Sequence, residues 1–186
     1  MPGVMTMAQR AAKRNRISVM QGTRRVTGNP NVVFTTILGS CVTACLFDKH
    51  ASVGGMNHFL LSEPPQGSGH KAQEIERYGV YAMEVLINDM LKAGAQRQYL
   101  SAHLYGGANL HQGMQAIGTA NSTFATNFLA TEGIPVIHAS LGGRAARRVE
   151  FRPASGLARC RILIDDVVFE MPVKQKTEPV GELELF

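Results

Sequence analysis

The sequence contains no tryptophan, only 18% charged residues, and three cysteines, Cys41, Cys45 and Cys160, none of them in a Cys-x-x-Cys pair. An odd number of cysteines without that spacing argues against a disulfide framework or a structural zinc site and suits a reducing compartment. No apolar run approaches the ~18 to 20 residues that span a bilayer, and the N-terminus carries Arg and Lys where a secretory signal would be apolar. A cytoplasmic chain without membrane insertion is expected. His50, His70, His103, His111 and His138 show no ligand spacing, so neither metal nor cofactor is assigned.

What is present is 186 residues at 45% hydrophobic content, enough for one globular domain with a sizeable core. The net charge of +5 is concentrated at one end. Arg10, Lys13, Arg14, Arg16, Arg24 and Arg25 supply six cations with no acid before residue 26, which leaves 5 − 6 = −1 for the remainder. The basicity therefore belongs to an N-terminal arm, and a nucleic-acid-binding face on the domain itself is not expected. Residues 1–25 read as a flexible basic arm, 26–172 as a single domain, and 173–186, with little to bury, as a flexible tail.

Within the domain, "NVVFTT", "CVTACLF" and "ASVGGMNHFLL" are strand candidates separated by turn signals. Pro64 to Gly69 is a surface loop by composition. From Gln73, apolar residues Ile75, Tyr78, Ala82, Val85, Leu86 and Met90 recur at helical spacing, and Gly94 closes the helix. "YLSAHLYGG" is a strand running into a glycine loop, Ala120 to Glu132 a second helix, and "PVIHASLGG", "RRVEFR" and "LARCRILI" further strands, the last two joined around Pro153 to Gly156. The mixed order favours an α+β fold with antiparallel strands over a doubly wound parallel sheet.

Asp48-Lys49-His50-Ala51 breaks two strand-like runs and predicts a hairpin. A symmetric hairpin about Lys49 and His50 sets Cys41 directly opposite His58, with Cβ atoms about 4.5 to 5.5 Å apart, within reach of imidazole for sulfur. A bulge at Gly54-Gly55 would shift that register by one residue. The pattern fits a thiol activated by a neighbouring base, although a buried cysteine beside a satisfied histidine is the commoner meaning of such a pair. Cys45 and Cys160 read as core. The Gly106-Gly107-Ala108-Asn109 loop lacks the Lys-Ser/Thr of a nucleotide cradle and reads as the rim of a site, which Asn121 joins on the substrate side.

Three stretches, "TTILGSCVTACLFDKHASVGGMNHFLL", "GGANLHQGMQAIGTAN" and "LGGRAARRVEFRPASGLARCRI", resemble the CheD family of chemoreceptor glutamine deamidases over about Val26 to Pro172. The resemblance implies a layered α/β/β sandwich with two main helices, similar to the catalytic domain of glutamine-deamidating bacterial toxins. It implies Cys41 as nucleophile, His58 as general base and Thr35 as the group orienting the imidazole, with neighbouring Thr36 the residue most easily confused with it. One departure is Ser140, which stands where an acidic residue is common in the family.

The activity so implied is cysteine-dependent conversion of chemoreceptor glutamine to glutamate through a thioester, with release of ammonia. Oxyanion donors are expected in the Gly39-Ser40-Cys41 turn, with Gly106 and Gly107 as further candidates near the substrate. Expected partners are the cytoplasmic helices of a chemoreceptor and a CheC-type phosphatase. A non-catalytic regulator that docks to either is the alternative reading.

Overall fold

A computed structural model describes residues 15–61, 71–110 and 117–163, with side chains from Tyr78 onward in the first helix. The expectations for residues 1–14, the Pro64–Gly69 loop and the 173–186 tail lie outside the described residues.

Among the described residues, nine strands form two sheets. Strands β1 (Asn15–Ser18), β3 (Val32–Leu38), β8 (Arg147–Arg152) and β9 (Leu157–Ile162) make a four-stranded sheet in the order β1-β3-β8-β9. Strands β2 (Arg24–Thr27), β5 (Val53–Asn57), β4 (Val42–Asp48), β6 (Ser101–Gly106) and β7 (Val136–Leu141) make a five-stranded sheet in the order β2-β5-β4-β6-β7. Helices α1 (Lys71–Lys92) and α2 (Ile117–Thr131) cover the outer face of the five-stranded sheet.

Period-two alternation explains the layers. Along β4, Val42, Ala44 and Leu46 point to one side and pack with Met83, Leu86, Ile87 and Met90 of α1 and Ala125 and Leu129 of α2. The intervening Cys45 and Phe47 point the other way, into a second core with Phe34 and Leu38 of β3 and Val149 and Phe151 of β8. Every residue of β4 is buried, because this strand has a layer on each face. The fold is thus α+β, with helices, sheet and sheet stacked in the expected α/β/β order. No helix among the described residues is long and apolar enough to cross a membrane.

The N-terminal segment corrects the sequence reading. From Asn15 onward the supposed flexible arm belongs to the fold: β1 pairs in parallel with β3, and β2 pairs antiparallel with β5. Val19, between them, is 1% exposed in the inter-sheet core, and Arg24 Nε donates to Asp89 Oδ2 of α1 at 2.7 Å. Four-residue strands dotted with Arg carry too weak a periodicity to be read from sequence, and pairing with longer strands makes them.

The β4–β5 hairpin turns one residue later than expected. Asp48 Oδ1 accepts the amides of His50 and Ala51, and Ser52 takes a left-handed φ of 53°, so Asp48 pairs with Val53. No bulge intervenes at Gly54-Gly55: Phe47 pairs with Gly54 and Leu46 with Gly55. Gly54 is needed for another reason, since a Cβ there would lie 2.3 Å from the carbonyl oxygen of Pro153, where the β8–β9 connection crosses the sheet.

Candidate active site

Continuing that register, Val42 and Phe59 exchange both backbone hydrogen bonds at 3.0 Å. His58 therefore faces Thr43, and Cys41 lies one pair further along the same face. The two residues are diagonal neighbours, not directly opposed as the symmetric hairpin predicts, and Cβ atoms in such a relation are less than about 7 to 8 Å apart. Both are nearly buried, Cys41 at 9% and His58 at 7% exposure.

The hydroxyl at the imidazole belongs to Thr36, not Thr35. Thr36 Oγ1 lies 2.9 Å from His58 Nδ1 and donates to the carbonyl of Val19 at 2.8 Å. Thr35 faces the opposite side of β3, paired with Ser18 on one flank and Glu150 on the other. The physical reason is alternation: Phe34 and Leu38 enter the inter-sheet core, so the residue midway between them does so too. That signal was present in the sequence.

The network also assigns the tautomer. The Thr36 hydroxyl has one proton and directs it to Val19, so Oγ1 must accept from Nδ1–H, for which the Val19 carbonyl at 3.3 Å is a second acceptor. Nε2 then carries a lone pair, and it is buried with no hydrogen-bond partner among the described residues. Burial holds the His58 pKa below its ordinary value, partly offset by the Val19 bond, so the ring is a neutral base. Burial likewise pushes the Cys41 thiol up to about 11, opposed by a hydrogen bond from its own backbone amide. At rest the pair is thiol and imidazole, not an ion pair.

The turn bearing Cys41 is held from behind at all three of its carbonyls. Ala108 N–H donates to Gly39 O at 2.9 Å, Gly107 N–H to Cys41 O at 2.8 Å, and Asn121 Nδ2 to Ser40 O at 2.8 Å. The N–H of Cys41 itself lies against its own sulfur, and among the described residues neither it nor the N–H of Ser40 donates to a backbone carbonyl.

The roles expected of Gly106, Gly107 and Asn121 change accordingly. Asn121 is fully buried and its Oδ1 also accepts from Leu61 N–H at 2.8 Å, so it positions the turn and does not face a substrate. Gly106 adopts φ 115°, and a Cβ there would sit 2.1 Å from Cys41 O; one on Gly107 would sit 1.8 Å from Ser122 Oγ. These glycines allow the clamp to close on the turn.

Behind the clamp, Gly142 N–H donates to Gly106 O and Gly143 O accepts from Asn109 N–H. The nearly buried Arg147 braces that loop by donating to the carbonyls of Ser140 and Gly142 and to Ser140 Oγ at 3.2 Å. Ser140 thus meets this arginine with hydroxyl and carbonyl acceptors.

One contact was not legible in the sequence. Gln21 Oε1 lies 3.5 Å from Cys41 Sγ, presented by a turn in which Thr23 N–H bonds to Met20 O and Gly22 takes φ 77°. The turn is tied to the base on both sides, Gly22 N–H to His58 O and His58 N–H to Thr23 O. Reading this segment as a disordered arm hid it. Between the same turn and α1, a cleft lined by Thr23, Tyr78, Tyr81 and Val85 reaches His58.

Residues 60–162 match the family model for CheD, described as CheD chemotactic sensory transduction. The chain is 48% identical over 184 residues to a Caulobacter vibrioides protein named "Probable chemoreceptor glutamine deamidase CheD", covering 96% of this chain and 95% of that protein. Proteins of the same name from Zymomonas mobilis and Agrobacterium fabrum are 56% identical over 146 residues and 47% over 174. These alignments cover 78% of this chain and 79% of the former protein, and 94% and 93% for the latter.

Proposed function

Because the chain belongs to the CheD family, we propose that it hydrolyses glutamine side chains of chemoreceptors to glutamate, with Cys41 as nucleophile, His58 as base and Thr36 as the group that orients the ring. The observation that carries the reading is the combination of a buried Nε2 lone pair, without a partner among the described residues, and a cysteine turn pinned at all three carbonyls.

The chemistry follows from the resting protonation states. Since both groups are neutral, the proton leaves sulfur as attack begins: Nε2 takes it while Sγ bonds to the amide carbon. Negative charge collects on the amide oxygen, for which the Ser40 and Cys41 N–H groups are the donors. Losing one such donor typically costs on the order of 10²-fold or more in rate. The C–N bond then breaks, and imidazolium returns its proton to the departing ammonia. Water, deprotonated by the same Nε2, hydrolyses the thioester to carboxylate and free thiol. Thr36 keeps Nδ1 protonated throughout, so that Nε2 remains the working nitrogen.

The test is the mass of a receptor cytoplasmic fragment incubated with the protein. Each converted glutamine adds about one mass unit. Gains at discrete glutamines with wild type, and none with Cys41→Ala, are expected; equal gains with Cys41→Ala would overturn the reading.

A further inference from the structure

A glutamine carboxamide already stands at the nucleophile of a protein proposed to deamidate glutamine. We infer that Gln21 is an intramolecular substrate, deamidated in cis by Cys41. The inference rests on the proposed acyl-transfer chemistry, and three observations carry it.

The first is distance. Gln21 Oε1 is 3.5 Å from Cys41 Sγ, and the carboxamide carbon is one C=O bond of about 1.2 Å from that oxygen, so a rotation of the carboxamide brings it to the ~3 to 3.5 Å separation from which attack proceeds. The second is presentation. The Met20–Thr23 turn is closed by its own backbone bond and tied at Gly22 and Thr23 to both backbone groups of His58. Nucleophile, base and amide are therefore held by one short set of hydrogen bonds, which gives the in-cis reaction a high effective concentration. The third is release: Gln21 is exposed, so the product side chain can turn to water and leave the thiol free.

The step balances. Sγ bonds to Cδ of Gln21, the thiol proton passes through His58 Nε2 to the nitrogen, and the Cδ–Nε2 bond of Gln21 breaks to release ammonia. Water then cleaves the thioester, leaving a glutamate side chain at position 21 and the original thiol, for a net uptake of one water and loss of one ammonia. No other reactant is needed. The new carboxylate, if it stayed, would hold the thiol protonated still more firmly by like-charge repulsion, so its exit accompanies access of an external glutamine.

Trypsin cleaves after Arg16 and Arg24 and releases Ile17–Arg24, in which Gln21 is the only side-chain amide. After incubation, wild type is expected to yield this peptide about one mass unit heavier, and in oxygen-labelled water with one labelled oxygen at residue 21. Cys41→Ala, with Cys41→Ser as a second variant, is expected to convert at least about a hundredfold more slowly. The rate should not depend on protein concentration, and wild type should not convert Gln21 of added Cys41→Ala protein. Deamidation of a receptor fragment is followed alongside. Wild type that deamidates the fragment yet keeps Gln21 as the amide would overturn this inference and leave the proposed function standing. Conversion of Gln21 without action on the fragment would do the reverse. Equal conversion in the Cys41 variants, or conversion in trans, would also overturn it.

Discussion

Cys41 and His58 both occupy surroundings that disfavour their charged forms, one held up to about 11 and the other held below 6.5. The acid limb of turnover should therefore fall below pH 6.5, since only neutral imidazole takes the thiol proton. The same shift bears on stability: below the unfolded value of about 6.5 the unfolded chain binds a proton that folded His58 refuses, so this group's stabilisation is lost as pH falls toward the folded pKa. Thr36 makes the sharper test. Thr36→Val removes the acceptor of Nδ1–H and is expected to lower kcat by roughly 10²-fold, with Thr36→Ser restoring most of it. Thr35→Val should stay within about threefold of wild type, because its side chain is on the other face of β3. A pH–rate profile of the four proteins checks this, and a larger loss in Thr35→Val would contradict it. At this scale the shared face of Cys41 and His58 was legible from hairpin symmetry. The threonine was assigned from the family resemblance alone, whereas the alternation of Phe34 and Leu38 points to Thr36.

At the scale of elements, the segment least like a secondary-structure element does much of the positioning. Val19 fills the inter-sheet core and offers its carbonyl to Thr36 and His58, and the turn after it places Gln21 at the thiol. Deleting residues 1–20 should therefore cost about 2 to 3 kcal/mol from Val19 and Ile17 burial, a fall of roughly 5 to 10 °C in Tm, and impair turnover. Scanning calorimetry decides, and an unchanged Tm would return the segment to the status of a dispensable arm. The long strands and both helices were readable because each carries a sustained apolar period. β1 and β2 were not, for they are stabilised across the sheet by partners distant in sequence, with Asn15 beside Val32 and Arg24 beside Asn57.

For the molecule as a whole, the stacking of two sheets and a helical layer sets the nucleophile turn at a junction. β4 runs through the middle; Asn121 reaches the turn from α2 and the glycine clamp from the end of β6, while Thr36 reaches His58 from the second sheet. The α+β class followed from the mixed strand and helix patterns and the layer order from the family resemblance, whereas these convergences depend on loop geometry that composition does not encode. The central claim is that Cys41 carries the receptor glutamine as a thioester. Rapid acid quenching of wild type with a receptor fragment, followed by intact-mass measurement, should show a transient species at the sum of the two masses less ammonia, about 17 mass units, on the peptide containing Cys41. Full deamidation by Cys41→Ala protein with no such species at any time would contradict the account.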